Sequence, residues 1–155
     1  VGIGKLARSA LEAATLLEQD DVDATVIDPR VVRPLCPSLI ERCQRARLVV
    51  TAEDGLVHGG AGQYLRDVLE SVADEADEVA PWVVSLGVPT MYIPHAKPDS
   101  ILERLGLDAQ GIARSTRHAL ERLASRSDGR TLEESRRSGG RTRRITLRGG
   151  GMVAR

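Results

Sequence analysis

Apolar residues recur along much of the chain at the three- and four-residue spacing of amphipathic helices. Several of these runs begin at a proline or at a residue that can cap a helix, which fixes where the helices start. The predicted helices run from Leu6 to about Gln19, from a Ser38 cap through Leu39, Ile40 and Cys43, from Tyr64 to about Ala76, from Pro98 to Leu105, and from Ala109, after an Asp108 cap, to about Ser125. The other apolar runs are too short for helices.

Those short runs are rich in β-branched residues and predict strands. They cover residues 1–4, 24–27, 47–52 and 82–86. Near-continuous apolar strands that alternate with amphipathic helices indicate a parallel sheet covered on both faces, so the expected class is three-layer α/β/α. The first strand is truncated, because strands usually run about 5–6 residues. A short strand leaves main-chain groups of its neighbour without partners.

Composition is consistent with one globular domain, assigned to residues 1–125 of the 155, with 41% hydrophobic content to build its core. No run reaches the roughly 18 apolar residues of a membrane span, and no secretory pattern opens the chain. Cys36 and Cys43 have no histidine at zinc-ligand spacing. We therefore expect a cytoplasmic protein with reduced thiols and no membrane contact.

Residues 126–155 differ from the rest of the chain in composition. They hold nine arginines against three acidic residues, a net charge of +6, together with six glycines and no aromatic residue. Such a segment buries too little apolar surface to offset its ordering entropy, so a disordered tail is predicted. Nucleic-acid binding through these arginines is disfavoured, since no aromatic residue is interleaved for base stacking.

The candidate functional residues cluster after the third predicted strand. Glu53 and Asp54 end that strand, at the edge where α/β proteins bind ligands, and Gly59, Gly60 and Gly62 lead into the next helix. The two carboxylates could bind a cation or act as acid and base, although consecutive side chains point in different directions and structural roles are favoured. The glycines could expose helix amides to an anion or press against a partner subunit.

Other chemistry-bearing residues form no catalytic set. His95 follows the fourth strand and is the better functional candidate among the three histidines, but no Ser-His-Asp or Cys-His arrangement can be assembled from the spacing. Gly2 and Gly4 with Ala7, followed by Asp28, weakly match a dinucleotide-binding fingerprint. Close packing of strand against helix is the preferred explanation for these small residues.

Four collinear segments resemble one enzyme family. Residues 28–35 (DPRVVRPL) resemble a turn of the transketolase C-terminal domain, and residues 48–55 (LVVTAEDG) with 59–62 (GGAG) resemble its strand and glycine segment. Residues 87–95 (GVPTMYIPH) and 101–113 (ILERLGLDAQGIA) are similar to the end of 1-deoxy-D-xylulose-5-phosphate synthases. The resemblance covers residues 1–124.

The resemblance implies a mixed-sheet domain of a thiamine-diphosphate- and Mg²⁺-dependent transferase. That family condenses pyruvate with glyceraldehyde 3-phosphate, for isoprenoid and thiamine precursors. Its catalytic, cofactor and metal residues lie in upstream domains, so none is carried over to this chain. The resemblance implies domain packing and a homodimer, with thiamine-binding domains in the same or a companion chain. A split subunit, a paralogue and a decaying gene fragment remain open, as does a free-standing α/β module that binds an anion or protein.

Overall fold

In the computed structural model the backbone is described for residues 1–139 and the side chains for residues 1–126. The elements in chain order are α1 (Leu6–Glu18), α2 (Pro37–Gln44), β1 (Leu48–Leu56), α3 (Ala61–Glu75), β2 (Trp82–Val88), α4 (Pro98–Leu105) and α5 (Ala109–Gly139). Residues 1–121 form one compact unit, and residues 122–155 are assigned to another. The predicted α/β alternation is confirmed.

The sheet is parallel, as predicted, but its regular part is smaller than expected. β1 pairs with β2 in the register Leu48↔Trp82 through Ala52↔Leu86. Beyond β1 on the other side, Val1–Ile3 makes a single parallel bridge, Gly2↔Ala52. The predicted strand at residues 24–27 is wrong, since that segment is not a strand and the Gly2 amide donates to the Ile27 carbonyl over 3.0 Å. One hydrogen bond of this kind does not make a strand ladder.

Two core clusters lie on opposite faces of this sheet, because Val49 and Ala52 are an odd number of residues apart along β1. On one face Ala52 packs with α1, α5 and Leu107. On the other face Val49 and Val83 pack with α2 and α3, where Leu65 and Leu69 are almost fully buried. Each such leucine stabilises the fold by roughly 1.5–3 kcal/mol. The helices thus form the layers of an α/β/α domain.

Helix ends depart from prediction in three places. Cys36, and not Ser38, is the N-cap of α2, because Pro37 occupies the first helical position that its fixed φ angle favours. α3 begins at Ala61 rather than Tyr64. α5 continues past Ser125 to Gly139. The disorder predicted for residues 126–155 stays a prediction, since residues 140–155 lie outside the described part.

The Asp108 cap is confirmed. Its carboxylate accepts the Gly111 amide over 3.0 Å at the start of α5, and α4 spans the predicted residues with Pro98 in its first turn. No helix among the described residues is long and apolar enough to cross a membrane.

Candidate functional site

The segment that joins β1 to α3 closes over the carboxyl end of the strand. Gly59 has a φ of +79°, which favours glycine, and its amide donates to the Gln63 side-chain oxygen over 2.8 Å. Gly60 is the N-cap of α3 but offers no side chain to its free amides. Those amides must therefore find partners elsewhere.

Glu53 supplies the missing cap. Its side-chain oxygens accept the Ala61 amide over 3.0 Å and the Gly62 amide over 2.8 Å. Only 6% of the residue is exposed. A carboxylate at a helix N-terminus is favoured both by these charge-assisted hydrogen bonds and by the helix dipole. Glu53 therefore acts as the N-terminal cap of a helix that begins eight residues further along the chain.

The glycines make this cap sterically feasible. A Cβ on Gly60 would lie 2.5 Å from a Glu53 side-chain oxygen and would collide with the Leu56 carbonyl. A Cβ on Gly62 would collide with the Thr51 hydroxyl and lie 3.1 Å from the Ser85 hydroxyl. The glycine run thus allows α3 to approach the strand ends closely.

Asp54 points away from Glu53, as expected of consecutive strand residues. It forms an exposed ion pair with Lys5, at the start of α1, whereas Glu53 faces α3. The two carboxylates therefore do not converge on a shared cation or proton. In the part of the chain with described side chains, no group of three or more His, Cys, Asp or Glu residues could hold a metal ion.

His95 is not drawn into this cluster. It is exposed in the loop between β2 and α4, and no hydrogen bond or ion pair is recorded for it among the described side chains. His58 is likewise exposed, in the turn before Gly59. The structure thus brings together Glu53, Gly60 and Gly62, with Gly59 held nearby by Gln63. It leaves Asp54 and His95 outside that contact.

A buried pair of hydroxyls beneath the glycines was missed by sequence reasoning. Thr51 is fully buried and stands opposite Ser85 in the β1–β2 register. The hydroxyl oxygens of both residues are buried without a recorded hydrogen-bond partner. The available signal was a hydroxyl residue directly after an apolar run in each strand, Thr51 after Leu48–Val50 and Ser85 after Trp82–Val84, since such residues are costly to bury without a partner.

An exposed apolar group at the same end of the sheet was also missed. Leu56 stands opposite Val88 at the end of the ladder and is 51% exposed. Met91 and Tyr92 follow shortly after, in a turn closed by the Met91 amide and the Pro89 carbonyl, and are 66% and 87% exposed. Large exposed apolar side chains at or just beyond one end of a sheet favour a protein contact there.

The small residues near the amino terminus are explained by close packing. A Cβ on Gly2 would lie 2.5 Å from the Ala7 Cα in α1. Asp28, which the dinucleotide fingerprint would assign to a ribose contact, accepts the Arg30 amide over 3.0 Å. This geometry is that of a local turn.

The two cysteines occupy opposite environments. Cys36 is exposed, and hydrogen bonds from the Ser38 hydroxyl and from the Ser38 and Leu39 amides lower the pKa of its thiol. Cys43 is buried, and desolvation raises the pKa of its thiol. The thiol of Cys36 is therefore the more readily ionised.

Comparison with known proteins gives a consistent match. The family model described as "Transketolase, C-terminal domain" matches residues 1–112. The chain is 40% identical over 114 residues to the 1-deoxy-D-xylulose-5-phosphate synthase of Nocardia farcinica, covering 74% of the chain and 17% of that protein. It is 38% identical over 123 residues to 1-deoxy-D-xylulose-5-phosphate synthase 1 of Kitasatospora griseola, which covers 79% of the chain and 18% of that protein. It is 34% identical over 136 residues to the 1-deoxy-D-xylulose-5-phosphate synthase of Streptomyces griseus, which covers 88% of the chain and 21% of that protein. The chain spans about a fifth of these relatives.

Proposed function

The chain belongs to the transketolase C-terminal domain family, and we propose that it serves as the C-terminal domain of a 1-deoxy-D-xylulose-5-phosphate synthase-like transferase, where it packs against other domains and carries no catalytic group. The observation that supports this most directly is the use of Glu53. Its side-chain oxygens are occupied by the amides of α3. A carboxylate engaged in this way is a structural cap and is poorly placed to act as a base or a metal ligand.

Thiamine diphosphate and Mg²⁺ do not fit the described residues as a donor set. The carboxylates at the strand ends diverge, and the first amides of α3 that could hold a phosphate are already paired with Glu53. We therefore assign the cofactor, the metal and the condensation of pyruvate with glyceraldehyde 3-phosphate to companion domains. These would lie in the same polypeptide or in a partner chain in the cytoplasm.

The contact surface of this proposal is the edge around Glu53, Asp54, Gly59, Gly60 and Gly62, with His95 on the neighbouring loop. We extend it to the exposed apolar group of Leu56, Met91 and Tyr92, because β1 and β2 bring both to one end of the sheet. The same edge would serve a homodimer of the complete enzyme.

Free-standing anion binding is the alternative at this edge. An added anion would have to displace the Glu53 carboxylate from the Ala61 and Gly62 amides, and would meet its negative charge in doing so. These contacts favour a protein partner. Inorganic phosphate should therefore leave the thermal midpoint of the protein unchanged, and a concentration-dependent rise would support the alternative.

Complementation tests the proposal. The purified chain alone, with thiamine diphosphate, Mg²⁺ and both substrates, should show no condensation. Mixing it with the Nocardia farcinica synthase truncated before its matching C-terminal region should restore turnover. Turnover by the chain alone, or no gain on mixing although both proteins are folded, would contradict the proposal.

A matched pair of variants locates the contact. Tyr92→Asp should abolish the gain on mixing, because it places a charge within the proposed contact. Val79→Asp, at an equally exposed position (87%) after α3, should leave the gain intact. Equal effects of the two substitutions would count against this edge as the contact.

A further inference from the structure

β2 has β1 on one side, and no further strand of the described chain pairs with it on the other. In a parallel ladder, alternate residues of a strand bond to its two sides. The Trp82 amide donates to the Arg47 carbonyl, so the even-numbered residues of β2 bond towards β1. The main-chain groups of Val83, Ser85 and Gly87 are therefore directed to the second side, which is called the open side of β2 here.

The main chain is accessible on the open side of β2. Gly87 is partly exposed and has no side chain, so its accessible surface belongs to the main chain. Ser85 is also partly exposed, although its hydroxyl oxygen is buried. Edge strands of natural sheets are commonly protected by charged residues or proline. β2, which runs from Trp82 to Val88, contains neither. Its open side is therefore suited to receive another strand.

α3 covers β1 and β2 on one face of the sheet, and its two flanks have different surroundings. The helix contacts both strands. One flank carries Tyr64 and Val68, which belong to the cluster shared with α2. α2 lies towards residues 22–27, on the side of β1 away from β2. The opposite flank of α3 therefore faces the open side of β2.

That flank is acidic. Glu70 and Asp74 lie one turn apart on it, with Asp67 beside them, and all three residues are exposed. Arg66 lies on the same flank, and its guanidinium is 3.8 Å from the Asp67 carboxylate. For Glu70 and Asp74 no ion pair is recorded among the described side chains. Like charges at this spacing destabilise a helix, and a cationic partner would relieve their repulsion.

The other face of the sheet is apolar beside the open side of β2. Val84, Leu86 and Val88 alternate with the residues that face α3, and all three are half-buried. Successive side chains of an added strand would also point to opposite faces. Such a strand would complement both faces if basic residues, towards α3, alternated with apolar residues.

We propose that the open side of β2 binds an extended segment of a partner protein as an added strand, with basic side chains of that segment beside Glu70 and Asp74. In this β-augmentation contact, main-chain hydrogen bonds give affinity and alternate side chains give specificity. A second copy of this chain fits less well, because pairing of two β2 strands across a twofold axis would bring two acidic α3 flanks towards each other. The contact is distinct from the edge around Glu53, which lies at the carboxyl ends of the strands.

A synthetic peptide tests the proposal. The probe has the sequence GKVKVKVG with blocked ends and a fluorescent label at its N-terminal side, and its binding to the full chain is followed by fluorescence polarisation at low salt. The expected result is saturable binding. The acidic peptide GEVEVEVG should not bind. The basic peptide with N-methyl groups on two consecutive central residues should not bind either, because both of its edges are blocked. No saturation by the probe, or equal binding of either control, would overturn the proposal.

Hydrogen exchange locates the added strand. At ten times its dissociation constant the peptide should slow exchange of the Val83, Ser85 and Gly87 amides by about tenfold, in proportion to the open fraction. The Val84 and Leu86 amides bond towards β1 and should change less. Equal slowing of both groups, or no slowing while the peptide is bound, would contradict binding at the open side. Protection that instead rises with protein concentration, without peptide, would assign the open side to a second copy and overturn the basic partner.

A matched pair of charge reversals tests the acidic flank. Glu70→Lys should weaken binding of the basic peptide by about fivefold, as expected for the loss of an exposed ion pair. Glu75→Lys changes the net charge equally, but Glu75 stands seven residues after Val68 and thus on the flank beside α2. It should weaken binding much less. Both positions are exposed, and folding is checked by circular dichroism. Equal effects would show a response to net charge alone and would contradict contact with this flank.

Discussion

Replacing Glu53 by Ala should destabilise the domain by far more than replacing the adjacent Asp54. The Glu53 carboxylate pairs with two amides at the start of α3. Loss of an N-cap costs about 1 kcal/mol, and each buried donor left unpaired costs roughly 1–3 kcal/mol. The Gly62 amide is buried and the Ala61 amide half-buried, so we expect a total loss of about 2–4 kcal/mol.

The effect reaches the core because α3 carries Leu65 and Leu69 into the cluster beneath the sheet. Urea unfolding followed by circular dichroism measures it. With a slope of about 2 kcal/mol per molar urea, the midpoint should fall by roughly 1–2 M while the slope is unchanged. The urea midpoint of Glu53→Gln should lie between those of Glu53→Ala and the unaltered chain. The glutamine side chain keeps one acceptor oxygen, but its NH₂ group is a donor and faces a backbone N–H.

Asp54→Asn is the matched control for this prediction. The Lys5–Asp54 ion pair is exposed, with about half of each side chain accessible (53% and 43%). Exposed ion pairs contribute about 0–1 kcal/mol to the free energy of unfolding. The urea midpoint of Asp54→Asn should therefore hardly change. Similar losses for Glu53→Ala and Asp54→Asn would refute the view that the two neighbouring carboxylates have different roles.

Three further predictions follow from the surroundings of this cap and of the thiols. Thr51→Val should be neutral or stabilising in the same urea assay, because it removes a buried hydroxyl that has no recorded partner while keeping its shape; a loss above about 1 kcal/mol would reveal a hidden hydrogen bond. Gly62→Ala should destabilise by more than about 1 kcal/mol through its collision with Thr51, and an unchanged midpoint would contradict that packing. Alkylation of Cys36 should reach its half-maximal rate at lower pH than alkylation of Cys43. The thiolate is the nucleophile, and the pKa of Cys36 is lowered while that of Cys43 is raised. Coincident pH–rate profiles for the two thiols, measured by mass spectrometry, would contradict this prediction.

The fold was largely predictable because its helices have strong periodicity and its strands are apolar. Proline and aspartate at helix starts fixed α4 and α5 at their first turns. The strand expected at residues 24–27 failed for a reason local sequence does not contain. A strand needs a ladder of hydrogen bonds to its neighbour, and the bond found here is the one from the Gly2 amide to the Ile27 carbonyl.

The turn after β1 was predictable in its position but not in its contacts. The glycines predicted a turn into the next helix, and the alternation of strand residues predicted that Glu53 and Asp54 diverge, as they do. That Glu53 reaches forward to the Ala61 and Gly62 amides depends on how closely α3 approaches β1. This distance is set by packing of Gly62 on Thr51 and Ser85, residues far apart in sequence.

The carboxyl end of β1 shows how carboxylates and helix amides can stand together without forming a ligand site. The Glu53 carboxylate pairs the Ala61 and Gly62 amides, so a ligand that sought these amides would have to break existing hydrogen bonds. Exposed apolar side chains, at Leu56, Met91 and Tyr92, lie at or just beyond the same end of the two strands. Contact at this edge should therefore come from shape and apolar burial, without new hydrogen bonds to the start of α3.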